Sequence, residues 1–214
     1  MPSVASKAQP QRRPTQAERS AATRTRLLDA TIDCLVELGW SGTSTTEVVR
    51  RAGVSRGAQV HHYPSKEDLV VAAVEHLCTR RMEEYRSAFQ GLPPEKRTSE
   101  AAIDLLWNIW SGPTLGAWLE LTVATRTEPA LHQRFAAFEQ RFFDAALALY
   151  LETQPEAGAD PAFARLALRF TFCLLDGLAV GRLVGTDPAE LDAVIEAFKV
   201  VAASFTAPDQ GAAP

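Results

Sequence analysis

Cysteine is scarce in this chain, and its three copies lie too far apart in the sequence to act together. Cys34, Cys78 and Cys173 are odd in number and form no Cys-x-x-Cys pair, which argues against a disulfide framework and a zinc knuckle. The first residues lack the apolar run of a signal peptide. The most apolar region, residues 162–184, is interrupted by three arginines and an aspartate, so it predicts no membrane span. We therefore expect a cytoplasmic protein.

The chain as a whole has no large excess of positive or negative charge, but its two parts differ in sign. The net charge is −4, but residues 1–64 hold nine Lys and Arg against five Asp and Glu, a balance of +4 that leaves −8 for the rest. Residues 7–13 form a Gln-, Pro- and Arg-rich tail that is predicted to be disordered. Arg50, Arg51 and Arg56 lie outside that tail, so the asymmetry favours a small head that meets a polyanion, joined to an acidic body.

Sustained alternation of polar and apolar residues is absent, so the sequence predicts an all-α fold. The first helix is expected to start at a capping box on Thr15 and to end at Gly39. Ser44, Ser55 and Ser65 are predicted N-caps of two short helices and of a longer fourth one. Five more helices are predicted near residues 99–111, 114–126, 128–153, 160–184 and 188–206.

The helices group into a small head and a larger body. A Pro-, Gly- and charge-rich break covers residues 91–100 of the body. The predicted organisation is a disordered basic arm (1–15), a three-helix head (16–64), a larger helical body (65–206) and a disordered tail (207–214).

The segment 43–69 predicts a helix-turn-helix motif, with a tight turn at Ala52–Val54 between two short helices. In this motif, side chains in the first turn of the second helix contact base edges in the major groove. Arg56 is therefore the candidate for a contact to guanine. Gly57 and Ala58 are small, so they allow the helix to approach the bases closely. The start of the preceding helix suits a phosphate. The predicted phosphate contacts are Ser44, Thr45, Thr46, His61, His62 and Lys66.

The same residues resemble the TetR family of bacterial transcriptional regulators. The resemblance rests on Gly39-Trp40, Thr43-Ser44, Ala52-Gly53-Val54-Ser55-Arg56-Gly57 and His61-His62-Tyr63-Pro64-Ser65-Lys66, within residues 20–70. It implies an effector site in the body and a homodimer formed by two C-terminal helices from each protomer, here 160–184 and 188–206. It also implies binding to a palindromic double-stranded operator.

The sequence departs from the family pattern at Gln59-Val60, where an apolar residue and a tyrosine are usual. Val60 cannot supply the tyrosine's phosphate hydrogen bond, and it packs either on a thymine methyl or inside the head. Gln59 either reads adenine or is a tolerated, partly buried polar residue, and we favour the DNA contact.

Other chemistry at the adjacent histidines has little support. His61 and His62 point about 100° apart on a helix, whereas zinc-binding histidine pairs lie one turn apart. No nucleophile or carboxylate partner is indicated for a catalytic histidine. We therefore expect no metal site, no cofactor and no catalysis.

Aromatic residues of the body are candidates for an effector pocket, since helical bundles build cavities between helices. Ordinary core packing is the alternative for each ring, and a surface role is the alternative for the polar candidate, Arg126. The predicted ligand-binding residues are Trp107, Trp110, Trp118, Arg126, Phe142 and Phe170.

The helix at 160–184 is apolar nearly all round and must be covered on every side. A partner subunit is the simplest cover, and Gly177 and Gly181, four residues apart, allow its close approach; a central position within one protomer is the alternative. Cys173 is expected to be inert core.

The favoured function is therefore a dimeric, ligand-responsive DNA-binding transcriptional regulator, a repressor that a small apolar effector releases from its operator. The rival from another class is an all-α small-molecule carrier or enzyme whose basic head binds an anionic cofactor. Salt-dependent binding to DNA separates the two.

Overall fold

The computed structural model describes residues 15–112, 115–154 and 160–206. Regular structure in these ranges is entirely helical, and none of the helices is both long and apolar enough to cross a bilayer. The predicted arm and tail lie outside the described residues, apart from Thr15. The helices are α1 (Gln16–Gly42), α2 (Thr45–Ala52), α3 (Arg56–His62), α4 (Lys66–Gly91), α5 (Ser99–Trp110), α6 (Leu115–Ala124), α7 (Pro129–Thr153), α8 (Pro161–Leu183) and α9 (Pro188–Thr206).

Local capping signals start the helices of the head where the sequence predicts. The side chains of Ser44, Ser55 and Ser65 each accept a hydrogen bond from the backbone N–H three residues on, at 3.2, 3.2 and 3.0 Å. Gly53 ends α2 in the left-handed region, with φ 61° and ψ 40°. Because each device spans only a few residues, the sequence alone is enough to place it.

The first helix, α1, does not end at Gly39 as predicted. Gly39 takes φ 66° and ψ −174°, a kink, and the chain resumes helical structure as far as Gly42. The Thr43 side chain and backbone N–H both donate to the Gly39 carbonyl, at 2.7 and 3.1 Å. Gly39 therefore bends the helix, and Thr43 ends it.

The head and the body share α1. One face of α1 packs on α2 and the start of α4 through a buried cluster that includes Leu27, Cys34, Val48 and Leu69. A second cluster joins the later part of α1 to α4, α6 and α7 through Leu35, Val74, Leu121 and Phe138. The helix-turn-helix is therefore attached to the body along a continuous packed surface.

Candidate nucleic-acid interface and effector cavity

The first turn of α3 presents a small, exposed and cationic surface. Arg56 and Gly57 are exposed, Ala58 is half-buried, and Val60 is 47% exposed. The Arg56 guanidinium donates from Nη1 to Thr45 Oγ1 at 3.3 Å, which links the start of α3 to the start of α2. The structure thus brings the base-edge candidate Arg56 next to the phosphate candidates Ser44, Thr45 and Thr46 on one surface.

Gln59 does not face DNA, which corrects the interpretation that we favoured. Its side chain is 1% exposed, and its Nε2 donates to the Tyr63 carbonyl at 2.5 Å. None of the described residues donates a hydrogen bond to its Oε1. Gln59 therefore occupies the usual apolar core position, and its amide ties down the end of α3.

Lys66 also differs from the prediction, because its ammonium is directed inward. The Nζ donates to the Trp40 carbonyl at 2.6 Å and lies 3.8 Å from the centre of the Trp40 ring. Burial lowers the pKa of this ammonium. Lys66 therefore ties the start of α4 to the kink in α1, and a phosphate contact does not follow from this geometry.

The two histidines at the end of α3 lie side by side and close to Arg24. Their ring centres are 5.2 Å apart. Burial, then the neighbouring charges of His61 and Arg24, lower the pKa of His62 below its ordinary 6.5. Protonation of His62 would therefore add positive charge beside Arg24, near the end of α3.

Of the three arginines Arg50, Arg51 and Arg56, two are paired with carboxylates of the head. Glu47 accepts hydrogen bonds from both Arg50 and Arg51, which lowers the pKa of Glu47 to about 2, and Arg51 also pairs with Glu37 at 2.7 Å. Arg56 is therefore the arginine of this set that lies on the α3 surface without a carboxylate partner among the ion pairs of the described residues.

The body contains a partly open cavity of about 110 Å³ between α4, α5, α6, α7 and α8. Three of the predicted ligand-binding residues line it: Trp110, Trp118 and Phe142. The Trp118 ring packs on Phe135, Phe138 and Phe142 with centre separations of 5.1, 6.1 and 5.8 Å. The other lining residues are Leu77, Cys78, Arg81, Met82, Tyr85, Leu106, Ile109, Leu115, Ala146, Leu149, Tyr150, Leu168 and Phe172.

The other three predicted ligand residues lie elsewhere. Trp107 packs in a separate core between α5, α8 and α9. Arg126 is exposed in the turn that follows α6. Phe170 is 52% exposed on α8 and contacts Phe198, with ring centres 5.9 Å apart. The aromatic content of the body indicated that rings could line a cavity, but the helix registers decide which rings meet there.

Sequence reasoning missed the polar groups of the cavity, which lie one turn apart on α4. Cys78, Arg81 and Tyr85 share that face with Met82. Burial raises the pKa of Cys78 to about 12 and also raises the pKa values of Tyr85 and Tyr150. These groups are therefore neutral at physiological pH, and Arg81 supplies the charge.

A short path of contacts joins the cavity to the head through α6. Glu120 lies two residues after the cavity residue Trp118, and its Oε2 accepts a hydrogen bond from the Trp40 backbone N–H at 2.9 Å. A Cβ atom at Gly39 would lie 2.7 Å from the same Oε2. Because Lys66 holds the Trp40 carbonyl, Trp40 connects α6, the kink of α1 and the start of α4.

An exposed stripe runs along α8 with the alternating four- and three-residue spacing of a helix–helix seam. Its residues are Leu166, Phe170, Cys173, Gly177, Val180 and Val184. Cys173 is therefore exposed, not core as expected.

Gly181, which was predicted to allow the close approach of a partner subunit, contacts another helix of the same protomer instead. A Cβ there would lie 3.2 Å from Leu191 of α9, whereas one at Gly177 would meet open space. Gly181 thus serves packing within the protomer.

Known proteins share both the sequence pattern and the fold. The profile of bacterial regulatory proteins of the TetR family matches residues 27–73. The HTH-type transcriptional regulator CymR of Pseudomonas putida is 31% identical, over 86% of this chain and 91% of its own. An uncharacterized HTH-type transcriptional regulator of Mycobacterium tuberculosis is 32% identical, over 63% of this chain and 71% of its own. The multidrug binding protein EbrR, complexed with imidazole, has the same fold, with a TM-score of 0.60 at 23% identity, over 88% of this chain and 96% of that one.

Proposed function

Because this chain belongs to the TetR family of bacterial transcriptional regulators, we propose that it acts as a dimeric repressor released from its operator by a small apolar effector. The observation that carries the proposal is the α2–turn–α3 surface, where Arg56 joins the starts of both helices and small residues follow it. The aromatic cavity in the body supports the effector half of the proposal.

Two copies of α3 are required to read one operator. In helix-turn-helix dimers the recognition helices enter successive major grooves about 34 Å apart, and the half-sites mirror the protein's symmetry. The exposed α8 stripe supports a two-fold interface that sets this distance. A change in the separation weakens binding because both half-sites must be engaged at once.

The effector acts on that separation through α6 and α4. A ligand beside Trp118 displaces α6, and the displacement reaches the head through the Glu120–Trp40 hydrogen bond. A ligand beside Leu77 and Met82 tilts α4, whose start is tied to the same tryptophan by Lys66. Both helices therefore pull on the kink of α1, which carries the helix-turn-helix.

The test is binding of the purified protein to its own upstream DNA, measured by fluorescence anisotropy across a range of salt concentrations. Log affinity is expected to fall linearly with log salt. Arg56→Ala is expected to lower specific affinity by about 1–3 kcal/mol per half-site, as for loss of a bidentate base contact.

Arg86→Ala on α4, whose guanidinium pairs with Glu83 and Glu152, is the control and leaves binding unchanged. Binding that ignores both salt and sequence, or an unchanged footprint with Arg56→Ala, counts against the proposal.

A further inference from the structure

We propose that Val60 determines part of the DNA specificity of this protein, by packing its methyl groups against the C5-methyl group of one thymine in each half-site of the operator. The inference rests on the proposed function, because it assigns a role on DNA to one residue of the same α2–turn–α3 surface. It comes from the exposure of an apolar side chain on the outer face of α3.

Val60 is exposed, whereas the other valines of the α2–turn–α3 segment are covered. Val48 is buried, and Val49 and Val54 are partly buried against the same core of the head. Val60 is 47% exposed and does not belong to that cluster of the described residues. Packing within the head therefore does not account for a valine at this position.

The surroundings of Val60 leave its methyl groups open to a partner. Val60 lies four residues after Arg56 and three after Gly57, so these residues share one face of α3. Helical side chains lean toward the preceding turn, and Gly57 has no side chain there to cover Val60. A Cβ atom added at Gly57 would meet the Ser55 hydroxyl at 3.9 Å, an ordinary van der Waals contact. The fold therefore leaves room above this turn.

The chemistry of valine selects a methyl group as its contact on DNA. The isopropyl group neither donates nor accepts a hydrogen bond, so it forms none with phosphate oxygens or with the polar edges of bases. In the major groove the C5-methyl group of thymine is the feature that apolar side chains contact, and it separates thymine from unmodified cytosine. A valine in a helix has one strongly preferred rotamer, so little side-chain entropy is lost when that contact forms.

Helix geometry also places the thymine relative to the base that Arg56 contacts. Four residues of α-helix span about 6 Å, and successive bases of one DNA strand are about 3.4 Å apart. The thymine is therefore expected within about two base pairs of the guanine assigned to Arg56.

The experiment removes the methyl group from the DNA and the isopropyl group from the protein in turn. The operator is selected from random duplexes with the full-length protein. Each thymine is then replaced by deoxyuridine in both half-sites, which deletes the methyl group and keeps the hydrogen-bonding groups. Fluorescence anisotropy is expected to identify a symmetric pair of thymines whose replacement weakens wild-type binding about fourfold per half-site, equivalent to about 0.8 kcal/mol for one buried methyl group.

Val60→Ala is expected to remove this penalty, so that the thymine and deoxyuridine operators bind with affinities within about twofold of each other. Val60→Thr retains one methyl group and is expected to keep most of the penalty. Val123→Ala is the matched control, because it truncates an exposed valine on α6 of the body. It is expected to keep the full wild-type penalty.

Two outcomes overturn the inference: a wild-type affinity that deoxyuridine changes at none of the thymines, and a deoxyuridine penalty that is as large in Val60→Ala as in the wild-type protein. In both cases, salt-dependent binding to the selected operator leaves the proposed function standing. If the selection enriches no sequence and binding ignores salt, the proposed function is refuted, and this inference with it.

Discussion

At the scale of single residues, Gln59 shows why one amide could not be placed from the sequence. A glutamine can read adenine from a recognition helix, and it can equally hold a backbone carbonyl inside one. The choice depends on the rotation of α3 about its axis, which is set by packing on α1 and α2 and not by neighbours in sequence. In the structure the amide is buried and its Oε1 is unsatisfied.

Gln59→Met is therefore expected to stabilise the protein. An unsatisfied buried acceptor costs about 1–3 kcal/mol, whereas the lost bond to the Tyr63 carbonyl contributes about 1 kcal/mol. A gain of roughly 1 kcal/mol in the free energy of unfolding by urea is expected, with operator affinity unchanged. Val60→Ala, on the exposed side of the same helix, is the comparison and weakens operator binding. If the Gln59→Met protein is folded but no longer binds its operator, Gln59 contacts DNA and its assignment to the core is wrong.

The two histidines predict a pH dependence of DNA binding. In the free protein the pKa of His62 is lowered by burial and by the charges of His61 and Arg24. A phosphate next to the imidazole favours the protonated form and raises that pKa in the complex. Protons are then taken up on binding, so operator affinity increases as pH falls through the interval between the free and bound pKa values.

The effect is measured as the slope of log affinity against pH between about 8 and 6. The His61→Gln, His62→Gln double variant is expected to flatten that slope, and Arg56→Ala is expected to keep it. A slope that persists without both histidines assigns the proton uptake to other groups.

At the scale of helices, the first residues of the head helices and the last residue of α2 were predictable, because each capping signal involves only three or four consecutive residues. The serine caps and Gly53 lie where the pattern placed them. The cavity was only partly predictable, because its wall combines residues from five helices. Trp110 and Trp107 are three residues apart on α5, yet one lines the cavity and the other packs toward α9. No local pattern separates them.

The contact between α6 and α1 predicts a variant with altered coupling. Glu120→Ala removes the acceptor of the Trp40 N–H, so that this backbone group loses its partner. Faster hydrogen exchange is expected in residues 36–43, measured by mass spectrometry. A smaller loss of operator affinity on adding effector is also expected, since the path from α6 to the kink is broken.

Thr122→Ala is the control for that variant, because the exposed Thr122 hydroxyl donates a hydrogen bond within α6, to the Trp118 carbonyl at 2.9 Å. Equal exchange in both variants would mean that the Glu120 carboxylate does not hold the kink.

At the scale of the whole molecule, the charge division of the sequence has a structural counterpart. The basic head and the acidic body meet along α1 and α4, where Asp29 of α1 pairs with Arg80 of α4 at 3.5 Å. Within the body, Arg134–Asp68 at 2.6 Å and Arg141–Glu75 at 3.3 Å join α7 to α4. Exposed pairs of this kind contribute little stability singly. Their separation from the α3 surface leaves that surface to carry positive charge toward DNA.

The stripe on α8 predicts the dimer interface, and Gly177 is the residue that tests it. A Cβ atom at Gly177 meets no heavy atom of the described residues within 4 Å, whereas a Cβ atom at Gly181 would lie 3.2 Å from Leu191. Gly177→Leu is therefore expected to leave the fold intact. The leucine side chain is expected to prevent the α8 stripes of two protomers from packing together, so that light scattering shows a monomer instead of a dimer. Operator affinity falls with it, because a monomer engages one half-site.

Val123→Asp is the control, since Val123 is 65% exposed on α6, away from the stripe, and leaves the dimer intact. The rate of alkylation of the Cys173 thiol is a second measurement. Alkylation is expected to be slow in the wild-type dimer, where the interface buries Cys173, and faster in the Gly177→Leu protein. A Gly177→Leu protein that remains a dimer with a protected Cys173 places the interface elsewhere than α8. A monomer that still binds its operator with full affinity separates dimerisation from DNA recognition, which the two-helix geometry does not allow.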